Sequence, residues 1–229
     1  MWMCLEELVT IPADGTSLNG QLAYSAAGRT PCALIAGSHP LLGGNMNSNV
    51  ASSLRTGLAE RNAAALSFDY RNPRSPGTSS ADWARTVSEF WRTNHVPQEA
   101  DWRNDTRSAL AYLRSIAAAP TVLIGYSFGC HTIAGVAADS QAAAVICISP
   151  NPRDNDLSLF QSLQTPLLVI SSDNDFSCTA GDLRLWYDSL GGPREIEIFS
   201  KAEHFFRGRE RDLVCTVSRF LLAHGLIEE

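Results

Sequence analysis

The sequence predicts an α/β fold: a doubly wound, mostly parallel sheet with helices on both faces. Three observations carry this. Short, continuously apolar runs recur at 32–36, 63–68, 121–125, 143–148 and 166–171, the signature of strands buried on both sides. Segments of helical periodicity separate most of them. The chain of 229 residues is 45% hydrophobic, enough for one large core, so we expect a single domain over 1–229.

The elements follow in order. Residues 7–11 and 18–24 alternate like strands around a turn-rich stretch at 12–16 and predict a hairpin. After the strand at 32–36, Val50, Leu54 and Leu58 recur four residues apart and predict a helix over 49–60. Ala109, Leu110, Leu113 and Ile116 predict another over 105–117, with Asp105 as its N-cap. The run TVLIG at 121–125 leads directly into a helix over 128–138. Helices at 180–190 and 212–223 flank a strand at 195–198; Leu213, Val217, Phe220 and Leu221 form the inward face of the last helix.

One stretch breaks this rhythm. Between Arg71 and Asn104 the chain runs through RNPRSPGTSS and then a Trp-rich segment, in which 81–92 is helical and Pro97 prevents continuation. Trp83, Phe90, Trp91 and Trp102 concentrate there. A segment of this kind inside a compact domain predicts a small cap or lid at about 80–103, or a surface helix whose aromatics seal its own underside.

Composition excludes several roles. The formal net charge is −6 with no Lys/Arg block, which argues against nucleic acid or an anionic membrane as the main partner. No run approaches the ~18 apolar residues of a membrane helix. The first ten residues, MWMCLEELVT, place Glu6 and Glu7 where a signal peptide is apolar. Six scattered cysteines without a CxxC pair read as free thiols in a reducing compartment. We therefore expect a cytoplasmic protein.

The sharpest chemical signal is Gly125-Tyr126-Ser127-Phe128-Gly129, at the junction of a strand and a helix. There a serine sits on a strained turn, and glycine on either side avoids collision with neighbouring backbone. Ser127 is the candidate nucleophile, and it needs a base. Of five histidines, His204 follows the last strand in the loop KAEHFF, where the order Ser, then Asp or Glu, then His places the base. His39 precedes Ser127 and instead lines the site; His95, in the irregular segment, is a further candidate for contact with substrate. His131 lies down the helix after Ser127, and His224 suits a helix C-cap.

The acid belongs after the strand PLLVIS, in SSDNDFSC. Asp175, further from the strand end, is favoured, with Asp173 as a turn residue. Two N–H donors for an oxyanion are expected from Phe128, the residue after the nucleophile, and from the loop SHPLLGGNMNSN. Pro40 has no N–H, which points to Leu41.

HPLLGGNMNSNV, LSFDYRNPRSPG, GYSFG, the Asp175 loop and AEHFFRG, taken together, resemble the small bacterial α/β-hydrolases related to the dienelactone hydrolases. The resemblance extends from about residue 32 to the end. It implies the α/β-hydrolase fold, Ser127, His204 and Asp175 as a triad, and carboxylester-type activity. The chain departs from that group in having Arg71-Asn72-Pro73 for an Arg-Gly turn and in the length of its Trp-rich insertion.

The expectation is thus a serine hydrolase acting on a small-molecule acyl substrate, with no metal and no organic cofactor. Trp83, Phe90, Trp91, Trp102, His39 and His95 are the candidate pocket residues. A thioesterase or an acyl-transferring or cyclising enzyme uses the same triad; a non-catalytic binding protein on this fold is the reading of a different class. Oligomeric state stays open.

Overall fold

In the computed structural model, residues 4–25, 31–72, 74 and 77–228 are described. Met1–Met3 of the N-terminal segment and Pro73 of the Arg71-Asn72-Pro73 turn fall outside them. Strands β1 (Cys4–Ala13) and β2 (Thr16–Ser25) form the hairpin, and β3 (Cys32–Ala36) and β4 (Ala64–Phe68) follow. Next come β5 (Thr121–Tyr126), β6 (Ala144–Ile148), β7 (Leu167–Asn174) and β8 (Arg194–Glu203). They build one eight-stranded sheet in the order β1-β2-β4-β3-β5-β6-β7-β8. β1 and β2 are antiparallel to their neighbours, and every pair from β4 to β8 is parallel. This is the α/β-hydrolase fold.

The two-residue period of the strands divides the core between the faces. Ala33, Ile35, Val122 and Ile124 pack under α1 (Asn49–Ala59) and α6 (Glu210–Ala223), against Leu54, Leu58, Leu213 and Val217. Leu34, Leu123, Val145 and Val169 face the opposite side, with Trp102, Leu113, Ile133 and Leu183. These come from α3 (Glu99–Ile116), α4 (Phe128–Ala137) and α5 (Ala180–Ser189). Among the described residues, no helix is long and apolar enough to cross a membrane.

The helix expected over 81–92 is present as α2 (Ser80–Thr93), capped by Ser79, whose Oγ accepts from the Asp82 N–H, and ending at Asn94 with φ 57°. The stretch after it differs from the expectation. The next helix begins at Glu99, so Asp105 is not an N-cap but an interior residue of α3. Its buried carboxylate accepts from the backbone N–H and Nε of Arg71, both at 2.8 Å, and pairs with the guanidinium NH2 at 2.7 Å. A tertiary partner thus claims the oxygens that a cap would have offered to its own helix. Trp102 belongs to the same helix, fully buried, and its Nε1–H donates to the Arg71 carbonyl at 3.2 Å. It is a core residue of the main domain rather than part of a cap.

Candidate active site

The carboxyl ends of β3, β5, β6, β7 and β8 share one edge of the sheet, and the candidate residues gather there. Ser127 sits between β5 and α4 with φ 55° and ψ −117°, a strained conformation for a residue with a side chain. Its N–H donates to the Ile148 carbonyl of the adjacent strand at 2.8 Å, and its carbonyl accepts from the Cys130 N–H at 3.0 Å. A Cβ on Gly125 would lie 2.6 Å from the Cys130 nitrogen; one on Gly129 would lie 2.0 Å from the Ala36 carbonyl oxygen. Neither contact is tolerable, so the turn requires glycine at both positions.

β8 ends at Glu203, and His204 follows it directly. The His204 Nδ1–H donates to Asp175 Oδ1 at 2.8 Å, since a carboxylate can only accept. That leaves Nε2 to accept from the Ser127 hydroxyl at 3.1 Å. Asp175 lies just beyond β7 and is almost wholly covered. The same Oδ1 also accepts from the N–H and hydroxyl of Ser177, at 2.9 and 2.7 Å. Burial alone would raise this carboxyl; hydrogen bonds and the attraction of His204 outweigh it, and the value falls from 3.8 to about 2. Asp173 instead accepts from the N–H groups of Lys201 at 2.9 Å and Ala202 at 3.4 Å, tying down the backbone just ahead of His204.

A cavity of about 270 Å³ opens over Ser127. His39, Phe90, Trp91, Phe128 and His204 line it with Ser127, as do Leu42 and Phe176. Opposite in character are Asn151, Arg153, Asp154 and Asn155, from the loop after β6, and Asn94 at the end of α2. Sequence reading missed this polar wall. The signal for it was the segment PNPRDND directly after an apolar parallel strand, where site loops of α/β sheets emerge. A hollow of about 690 Å³ beside Gly15, Arg71 and Arg74 shares no wall residue with this cavity.

Several predicted pocket residues lie elsewhere. His95 is exposed, with Nδ1 3.2 Å from Glu99. Trp83 is half-buried on α2, outside the cavity wall. Trp102 stands behind the wall, its ring edge-on to His39 at 5.0 Å and to Phe128 at 5.6 Å. Leu41 is also absent from the wall, and its N–H donates to Nδ1 of His39 at 3.2 Å, capping a short 3-10 turn over Pro40–Leu42. The donor assigned to an oxyanion is therefore committed within its own loop. Among the described residues, the N–H groups of Ser38 and His39 have no acceptor, and Phe128 opens α4 with its N–H outside the intrahelical ladder.

His39 itself is buried. Burial, then the nearby His131 and His95, hold its pKa at about 4, so the ring is neutral at pH 7. Its Nδ1 accepts from Leu41, which places the proton on Nε2.

The Dienelactone hydrolase family profile matches residues 70–219. Among solved structures, an α/β serine hydrolase homologue from Coxiella burnetii superposes with a TM-score of 0.78 at 22% identity, covering 94% of this chain and 97% of that one. A Xanthomonas campestris structure described as an α/β serine hydrolase without lid gives 0.78 at 19% identity, covering 95% and 94%. The dienelactone hydrolase of Anabaena variabilis gives 0.71 at 18%, covering 96% and 98%.

Proposed function

We propose that this chain, which belongs to the dienelactone hydrolase family, is a serine hydrolase that cleaves carboxylic esters through Ser127, His204 and Asp175. The observation that carries the reading is the continuous chain of hydrogen bonds from the Ser127 hydroxyl through His204 to Asp175, at 3.1 and 2.8 Å, opening onto a cavity. A hydroxyl is a weak nucleophile until a base takes its proton, and this base is oriented by a carboxylate that remains ionised at neutral pH.

The steps follow from that geometry. Ser127 Oγ attacks the ester carbonyl as its proton passes to His204 Nε2. The carbonyl oxygen becomes an oxyanion, facing the N–H of Phe128 and an unpartnered N–H of the Ser38–His39 stretch. His204, now charged and held by Asp175, returns the proton to the leaving alcohol, and an acyl-Ser127 ester remains. Water, deprotonated by the same Nε2, attacks that ester and releases the acid. The exposed Trp91 and buried Phe90 form an apolar wall for the acyl group, built on α2 of the main domain, so no separate lid is required. The intact hydrogen-bond chain also weighs against a non-catalytic binding protein. Hydrolysis of p-nitrophenyl butyrate by the wild type, abolished in Ser127→Ala, is the expected result; equal hydrolysis by both would reject Ser127.

A further inference from the structure

Asp175 is held from one side. Three hydrogen bonds converge on its Oδ1: from His204 Nδ1–H at 2.8 Å, and from the N–H and hydroxyl of Ser177 at 2.9 and 2.7 Å. Oδ2 is buried and makes no hydrogen bond among the described residues; the nearby Ser149 hydroxyl helps hold the carboxyl low without forming one. Asp175 also stands just past the end of β7, beyond the reach of the sheet ladder. Two of the three bonds that set the place of Oδ1 therefore come from Ser177. The N–H bond is a local turn, of the kind an Asp side chain commonly makes two residues on. The hydroxyl reaches further: Ser177 Oγ lies 3.2 Å from Nδ1 of His204, 27 residues away in the chain. A carboxylate can only accept, so Ser177 Oγ–H donates to Oδ1, and its oxygen is left as a second acceptor for the Nδ1 proton. The three groups close a triangle.

Resting on the ester-hydrolase reading, we propose that Ser177 is a positioning residue for that reaction: its hydroxyl fixes Oδ1 of Asp175 opposite Nδ1 of His204 and shares the Nδ1 proton, which keeps Nε2 aimed at Ser127. Ser177 lines the cavity with His204, whereas Asp175 is almost wholly covered and does not. The hydroxyl thus occupies a place on Oδ1 that water from the cavity would otherwise contest. Ser177 keeps its own proton throughout and forms no bond to substrate. When the Ser127 proton reaches Nε2 and the ring becomes positive, Nδ1–H has two acceptors instead of one, the charged Oδ1 and the neutral Oγ. Without the hydroxyl, Asp175 retains only the Ser177 N–H of its own loop beside His204, and the carboxylate is free to turn about its last bond. The loss then falls on the placement of the base, and so on the chemical step, and not on the binding of substrate.

The test compares Ser177→Ala with Ser177→Thr, which keeps the hydroxyl, each alone and combined with Asp175→Asn. The readouts are kcat and KM on p-nitrophenyl butyrate and the rate of fluorophosphonate labelling of Ser127. Ser177→Ala is expected to lower kcat and the labelling rate by roughly 10- to 100-fold, the effect of one hydrogen bond to a charged group, with KM within about twofold. Ser177→Thr runs at least about fivefold faster than Ser177→Ala. Beside Asp175→Asn the same change to Ala costs about threefold or less, because the carboxylate whose place the hydroxyl sets is gone. Ser177→Cys, alike in shape with a weaker donor, falls between wild type and Ser177→Ala and is the second variant should the first fail to fold. A labelled wild type with Ser177→Ala within about twofold of it, or with Ser177→Thr no faster than Ser177→Ala, overturns the inference and spares the hydrolase. So does a loss confined to KM, which would make Ser177 a substrate contact, or an undiminished loss beside Asp175→Asn. Absence of labelling in folded wild type removes both readings together.

Discussion

Replacing Asp175 by Asn exchanges one carboxylate oxygen for an NH2 group and leaves the side chain's shape intact, yet it removes the charge and the acceptor-only character that fix the proton of His204 on Nδ1. With Asp175, Nδ1 must be the donor, and Nε2 is free to accept the Ser127 proton. An Asn that turns its NH2 toward Nδ1 moves the ring proton to Nε2, and the base is lost. An Asn that turns its oxygen there keeps the tautomer but no longer stabilises the imidazolium. Loss of a tautomer-fixing acid of this kind costs about 10⁴ in kcat. Stability changes as well. A carboxyl held at about 2 instead of 3.8 contributes about 2 kcal/mol to the folded state. Because the folded-state value is the lower one, that contribution is full above about pH 4 and disappears as pH falls through about 2. For a chain of this length the expected fall in Tm at pH 7 is roughly 4–8 °C, narrowing toward zero at pH 2. The assay is kcat/KM on p-nitrophenyl butyrate with calorimetric melts from pH 2 to 7, and Asp173→Asn is the comparator. Retention of more than a tenth of the activity in Asp175→Asn, or a greater catalytic loss in Asp173→Asn, would refute the assignment.

Gly129→Ala places a methyl group against the Ala36 carbonyl; kcat/KM should fall at least 100-fold as the nucleophile turn shifts, and a rate within threefold of wild type would show the turn to be looser than this. Arg71→Met leaves the buried Asp105 carboxylate with one backbone donor, so urea unfolding should report a loss of about 3 kcal/mol, most of it recovered when Asp105→Leu is added. Trp91→Ala removes an exposed ring from the cavity wall; the ratio of kcat/KM between p-nitrophenyl octanoate and acetate should change by about fivefold or more, and an unchanged profile would remove Trp91 from the acyl site.

The sheet was legible because buried parallel strands leave runs of apolar residues that local sequence alone displays, and because Gly125 and Gly129 answer a local steric demand. Candidate residues at Ser127, Asp175 and His204 were legible for a related reason: each follows a strand end on the same edge, so chain order alone brings them to one place. What escaped depends on tertiary partners. Asp105 has the chemistry of an N-cap, and only the approach of Arg71 across 34 residues makes it a core ion-pair member. Trp102 reads as part of a loop-rich cap until α3 is seen to begin at Glu99. Leu41 is the first N–H after Pro40, but a histidine two residues earlier folds back to take it. The wall of Asn151, Arg153 and Asp154 came from a loop whose composition marks it as a turn and whose direction only the assembled sheet determines.

The most direct test of the central claim is intact-mass analysis after treatment with a fluorophosphonate, run on wild type, Ser127→Ala and His204→Ala. An activated serine predicts one stoichiometric adduct on the wild type, mapped to the peptide containing Ser127, none on Ser127→Ala, and labelling slowed by at least 10³ on His204→Ala. A folded wild-type protein that takes up no adduct, or labels equally fast without His204, would contradict it.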